Sequence, residues 1–130
     1  GALAINLDIG KVLTFSESFW PNSYCCVLVL RGEFIDENTD VANDFMKDYV
    51  DAGSEAHKKE DNLYAALNQF MNVDKEVLEL SLEWISFDYL RIEEEEYNKL
   101  RDRVIRLELM ESPPQYDEFV ENSLIDGTNR

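Results

Sequence analysis

A single histidine, His57, limits acid–base chemistry in this sequence: any Ser-His-Asp or Cys-His scheme has to pass through it. It stands late in a helical pattern and is followed by Lys58 and Lys59, the setting of a solvated helix end. No serine or cysteine occupies a recognisable nucleophile elbow, no glycine-rich phosphate loop occurs, and no His, Cys and carboxylate spacing suits a metal. Carboxylates are so abundant that no pair of them stands out as an acid and its base. From its residues the chain reads as a non-enzyme with no cofactor and no metal. Cys25 and Cys26 are adjacent in an apolar run, where neighbouring side chains of a strand point to opposite faces, so they read as buried small hydrophobes and not as a redox pair.

One stretch has recognition character. Phe19-Trp20-Pro21-Asn22-Ser23-Tyr24 places aromatic faces and an amide at the mouth of an expected central strand, where ligands gather in open α/β sheets. The competing reading is that Phe19 and Trp20 cover the edge of the core.

Two strands are expected to position that loop. Residues 10–14 read as a short strand entered from Gly10, with Val12 and Leu13 as its β-favouring members. Residues 24–30, Tyr-Cys-Cys-Val-Leu-Val-Leu, form a continuous apolar run of the kind found in a strand covered on both faces. Such a strand needs neighbours that this sequence does not supply, which predicts pairing with another chain as a homodimer or a domain-swapped oligomer.

After Gly32 the pattern is helical. Val41, Phe45, Tyr49, Ala52 and Ala56 recur at helical spacing behind the polar run 36–39. Asp61 caps a short helix striped by Leu63, Ala66, Leu67 and Phe70, and Asp74 caps another carrying Val77, Leu78, Ser81, Leu82 and Ile85. An irregular link over residues 86–92 leads to Glu93-Glu94-Glu95-Glu96. Four carboxylates in a first turn suit the positive end of a helix dipole, and Arg101, Arg103 and Arg106 suit its negative end, so the run needs no metal to explain it. Ser112-Pro113-Pro114 ends that helix. Tyr116, Phe119, Val120 and Ile125 make a weaker segment that lies back on the body.

The whole is 130 residues, one domain's worth, with 45% hydrophobic residues and enough apolar material for a core. Its 28 acidic against 12 basic residues give a net charge of -16, which repels phosphate backbones and anionic lipid surfaces. Nucleic-acid binding is therefore disfavoured. No secretory signal pattern opens the sequence and no apolar stretch reaches the length of a membrane span. It begins in mid-pattern at Ala2-Leu3-Ala4-Ile5 without an initiating Met, and the expectation is of a fragment.

These segments, taken in order, resemble a known group. Gly10-Lys11-Val12-Leu13, Trp20-Pro21-Asn22, residues 25–35, residues 45–53, Val73-Asp74-Lys75-Glu76-Val77-Leu78, Trp84-Ile85-Ser86-Phe87, Tyr97-Asn98-Lys99-Leu100 and residues 113–120 are together similar to the C-terminal part of NMT1-like solute-binding proteins. That group serves bacterial ABC importers of nitrate, sulfonates, taurine and thiamine precursors. The resemblance covers nearly the whole chain. It implies the C-terminal portion of a two-lobed, type II periplasmic-binding-protein-like fold: α/β, mostly helical, with about two strands and four or five helices. It also implies a small-molecule solute and an ABC permease as partners of the intact parent, and an extracytoplasmic location, periplasmic or as a membrane-anchored lipoprotein. Within the recognition loop, Trp20, Asn22 and Tyr24 correspond to cleft-lining positions.

Two other readings stand beside it. One is an acidic helical interaction domain that meets a basic partner and has no small-molecule ligand. The other is an enzyme of thiamine-pyrimidine synthesis, which shares the fold family but needs a catalytic His and a Cys-rich site, for which His57 offers little.

Overall fold

The structure, a computed structural model, describes residues 1–88 and 90–128. Position 89, within the expected irregular link over residues 86–92, lies outside the described residues. The described residues form eight α-helices and one 3-10 turn, Ser16–Ser18, and contain no β-strand. This corrects the α/β fold with about two strands expected from the sequence. Residues 10–14 are exposed, with Leu13 94% accessible, and residues 25–30 make no backbone hydrogen bond with any described residue. A strand persists only as a rung of a ladder, and apolar, β-branched composition cannot replace the missing neighbour.

The chain divides into two compact units, with the division falling after Pro21, inside a long helix at Val50, and again after Asp88. In the first unit, α1 (Ala2–Asn6) packs on α5 (Lys75–Glu83). The sequence pattern does not announce α1, which is five residues long. Val77, Leu78 and Leu82 of α5 are buried, as is Ala2; full burial of each aliphatic side chain contributes about 1.5–3 kcal/mol. Phe15 meets Trp84 edge to face at 5.5 Å. Asp74 stands at the N-cap of α5 in an extended conformation, as its position before the apolar stripe predicts. The short helix α4 (Asp61–Phe70) starts one residue earlier than an Asp61 cap would give, with Glu60 at the N-cap. Phe70, expected in its apolar stripe, is 85% accessible.

The second unit contains α2 (Gly32–Glu37), the first part of α3 (Thr39–His57), α6 (Glu94–Arg106), α7 (Tyr116–Phe119) and α8 (Ser123–Gly127). Its core is Ala42, Met46 and Leu124, with Leu28, Leu30, Ile35, Tyr49, Val50 and Ile125 packed around them. The buried face of α3 is thus turned one residue from the expected stripe. Val41 and Phe45 are exposed, while their successors Ala42 and Met46 are buried. One residue is about 100° of helix, and two apolar positions side by side leave the choice of face to tertiary packing. Residues 24–30 run beside this core with Leu28 and Leu30 against it and Val27 and Val29 outward.

Helix α6 forms as its charges dictate. Glu94, Glu95 and Glu96 fill the first turn, Arg103 and Arg106 the last, and Lys99 pairs with both Glu95 at 2.9 Å and Glu96 at 2.7 Å. Tyr97 is buried, crossing Tyr116 edge to face at 5.8 Å and stacking on Phe119 at 5.5 Å. The helix stops at Arg106, well before Pro113, because Glu108 turns left-handed (φ 56). The Glu108 N–H then reaches the Ile105 carbonyl at 2.9 Å and the Leu109 N–H reaches that of Val104 at 3.0 Å, a Schellman ending. Helix α1 ends the same way: Asp8 (φ 55) donates to Ile5 and Ile9 donates to Ala4.

Candidate functional site

In the second unit, side chains from three stretches converge on the three residues that precede α6. The Tyr24 hydroxyl donates to the Arg91 carbonyl at 3.3 Å and accepts the Glu93 N–H at 2.9 Å. The Ile92 carbonyl accepts from the Tyr116 hydroxyl at 2.7 Å and from the Asn122 amide at 3.0 Å, and that amide also donates to the Tyr116 oxygen at 2.6 Å. The Arg91 guanidinium forks onto Asp126, with Nε to Oδ1 at 2.8 Å and Nη2 to Oδ2 at 3.3 Å, and its Nη1 reaches Glu93 Oε2 at 2.9 Å.

The electrostatics follow from that fork. Hydrogen bonding to Asp126 raises the Arg91 pKa, against an opposing desolvation effect, and the bond from Arg91 holds the Asp126 carboxyl below its ordinary value. Glu121 is also held low, by its bonds from Ser123, and burial pushes the Tyr97 phenol up. Arg91 sits between two carboxylates, so its charge is already compensated. It is placed to fix the backbone at 91–93 and is poorly placed to capture an anion.

The expected ligand positions fall as follows. Trp20 belongs to the first unit; it is half-buried, and its backbone N–H donates to the Ser16 carbonyl at 2.7 Å. Asn22 and Tyr24 belong to the second. Asn22 is exposed in a left-handed conformation (φ 57), which asparagine adopts more readily than most residues, and so forms the turn between Pro21 and Tyr24. Tyr24 is half-buried, its hydroxyl committed to the backbone at 91 and 93 with one lone pair remaining. Sequence reasoning misses Arg91, Tyr116, Asn122 and Asp126 as a connected group. They carry no spacing signature, and the one local hint is an arginine two residues before the glutamate run.

Elsewhere, His57 at the C-terminus of α3 lies 3.1 Å from Asp88 through Nδ1, and both side chains are half-exposed. That is a surface pair at a helix end, where a cation is favoured. A shallow open depression lined by Lys59, Glu60, Asp61 and Asn62 follows it. Cys25 and Cys26 are exposed free thiols, which corrects the expectation of buried hydrophobes, and their sulfurs lie 3.7 Å apart. Both thiols lie before the inward-facing Leu28 and Leu30, on a stretch whose backbone is paired with no described residue. Among the described residues no cluster of three or more metal-ligating side chains occurs, and no helix is long and apolar enough to cross a membrane.

Compared with protein-family models, with curated proteins and with solved structures, the chain finds no match in any of the three.

Proposed function

We propose that the chain is the C-terminal part of the solute-binding component of a bacterial ABC importer. In this reading the intact protein closes on a small organic or anionic solute outside the cytoplasm and delivers it to a membrane permease. The observation that carries the reading is the ordered series of segments, from Gly10-Lys11-Val12-Leu13 to residues 113–120, that resembles NMT1-like solute-binding proteins over nearly the whole chain. The turn at Pro21 and Asn22 and the anchored Tyr24 ring supply what a cleft edge needs, an aromatic face held by a fixed hydroxyl and an accessible amide beside it.

The test is a thermal-shift screen of the protein bearing this chain at its C-terminal end, against nitrate, alkyl sulfonates, taurine and pyrimidines. A stabilising shift with one class, reduced by Trp20→Ala, is the expected result. Absence of any shift removes the central property of the reading.

A second reading, an acidic helical interaction domain, is favoured by a different observation. Leu13, Val29 and Phe70 are 94%, 78% and 85% accessible on a chain of net charge -16, a combination that suits a partner both basic and apolar. Salt-sensitive retention of a Lys- and Leu-rich peptide, together with no solute shift, would favour this reading over transport.

A further inference from the structure

We propose that Cys25 and Cys26 form a vicinal dithiol site that chelates trivalent arsenicals through both sulfurs. This is independent of the transport reading and uses side chains outside the Tyr24–Arg91 cluster. Both thiols are exposed and free, and their sulfurs lie 3.7 Å apart on the same side of the chain, with the Cys26 thiol donating to the Cys25 sulfur.

The separation decides what the pair can do. A disulfide needs its sulfurs about 2.0 Å apart and its Cα atoms about 4.4–6.8 Å apart. Adjacent residues hold their Cα atoms at about 3.8 Å, so direct oxidation closes a strained ring and leaves a readily reduced bond. Trivalent arsenic is pyramidal, with S–As–S angles of roughly 90–100°, so bonds of about 2.3 Å hold its two sulfurs about 3.3–3.5 Å apart. The 3.7 Å spacing, an ordinary contact of two unbonded thiols, needs to shorten by only a few tenths of an ångström to seat the bridging atom, against well over an ångström for a disulfide.

Two further features point the same way. No cluster of three or more ligating side chains occurs among the described residues, so a centre that is satisfied by two thiolates and brings its own remaining substituent fits better than a four-coordinate metal. Residues 25–30 make no backbone hydrogen bond with described residues, so the two sulfurs can settle on the bridging atom without breaking a ladder.

With a monosubstituted arsenical the step balances without any redox partner. The two S–H bonds and the As=O bond break, two As–S bonds form, and the oxygen leaves as water with both thiol protons. Arsenic stays trivalent throughout. The reagent is uncharged, so the chain's net charge of -16 does not repel it.

The test is phenylarsine oxide added to the phosphine-reduced chain, read by intact mass. One adduct per chain with loss of one water is expected, stable to excess glutathione and removed by a small dithiol. Cys25→Ser and Cys26→Ser should each abolish it, and because both positions are exposed, unchanged circular dichroism is expected for the variants. The proposal is overturned if the wild-type chain forms no stoichiometric adduct, if either single variant keeps an adduct resistant to glutathione, or if the arsenical bridges two chains.

Discussion

The hydroxyl of Tyr24 accepts the backbone N–H of Glu93, the N-cap residue of α6, at 2.9 Å across 69 positions of sequence. It satisfies a helix N-terminal donor from a distant segment and donates in turn to the Arg91 carbonyl. Tyr24→Phe keeps the ring and removes both bonds. Urea unfolding is expected to show a loss of about 1–2 kcal/mol, one to two net hydrogen bonds, with unchanged helix content. A variant as stable as the parent would show that water replaces the hydroxyl at no cost.

The one-residue turn of α3 gives a paired comparison. Met46 lies in the core and Phe45 at 43% accessibility does not, although Phe45 is the more obvious hydrophobe. Met46→Ala is expected to cost about 2–5 kcal/mol and Phe45→Ala less than about 1 kcal/mol, measured by the same denaturant titration. The reverse order would restore the face that the sequence alone suggests.

That comparison also shows where the sequence is legible. Helices α4, α5 and α6 are readable because acidic residues precede apolar stripes and the arginines of α6 follow, all local signals. Which face of α3 is buried depends on Leu28, Leu30, Leu124 and Ile125, up to 83 positions away from Ala42, and local periodicity does not report that. The supposed strand at 24–30 misleads for the same reason: its side chains suit a sheet, but a sheet is a relation between segments. The recognition loop is visible in composition, whereas the cluster at 91–93 is assembled from single residues of four stretches.

Acid should act through the Arg91 fork and two further carboxylates. The folded-state pKa values of Asp126, Glu95 and Glu121 are depressed by Arg91, Lys99 and Ser123. A depressed carboxylate contributes stability that is fully present above its unfolded value and is lost as pH falls through its folded one. The melting temperature is therefore expected to hold from pH 7 to about 5 and to fall below the ordinary carboxylate range near pH 4. Asp126→Asn should start lower at pH 7 and fall less steeply. Parallel curves for the two proteins would exclude Asp126 as a contributor.

Helix endings provide a stabilising substitution. Glu108 holds the left-handed position of the α6 Schellman motif, where glycine has no Cβ conflict. Glu108→Gly is expected to raise stability by about 0.5–1 kcal/mol, the conformational relief outweighing the added freedom of the unfolded chain. Differential scanning fluorimetry would register a higher midpoint. A lower one would mean that the Glu108 side chain contributes more than its backbone costs.

Residues 24–30 have a consequence beyond the folded chain. Seven uncharged residues without Gly or Pro, with a backbone from 25 to 30 paired with no described residue and Val27 and Val29 turned outward, meet the requirements for stacking into intermolecular cross-β ribbons. What keeps copies apart is mutual repulsion from a net charge of -16, and that repulsion vanishes near the isoelectric point of about 4.2. Colloidal stability should therefore fail before the helices melt: light scattering is expected to rise on approach to that pH, and at neutral pH on adding salt, while circular dichroism still reports folded protein.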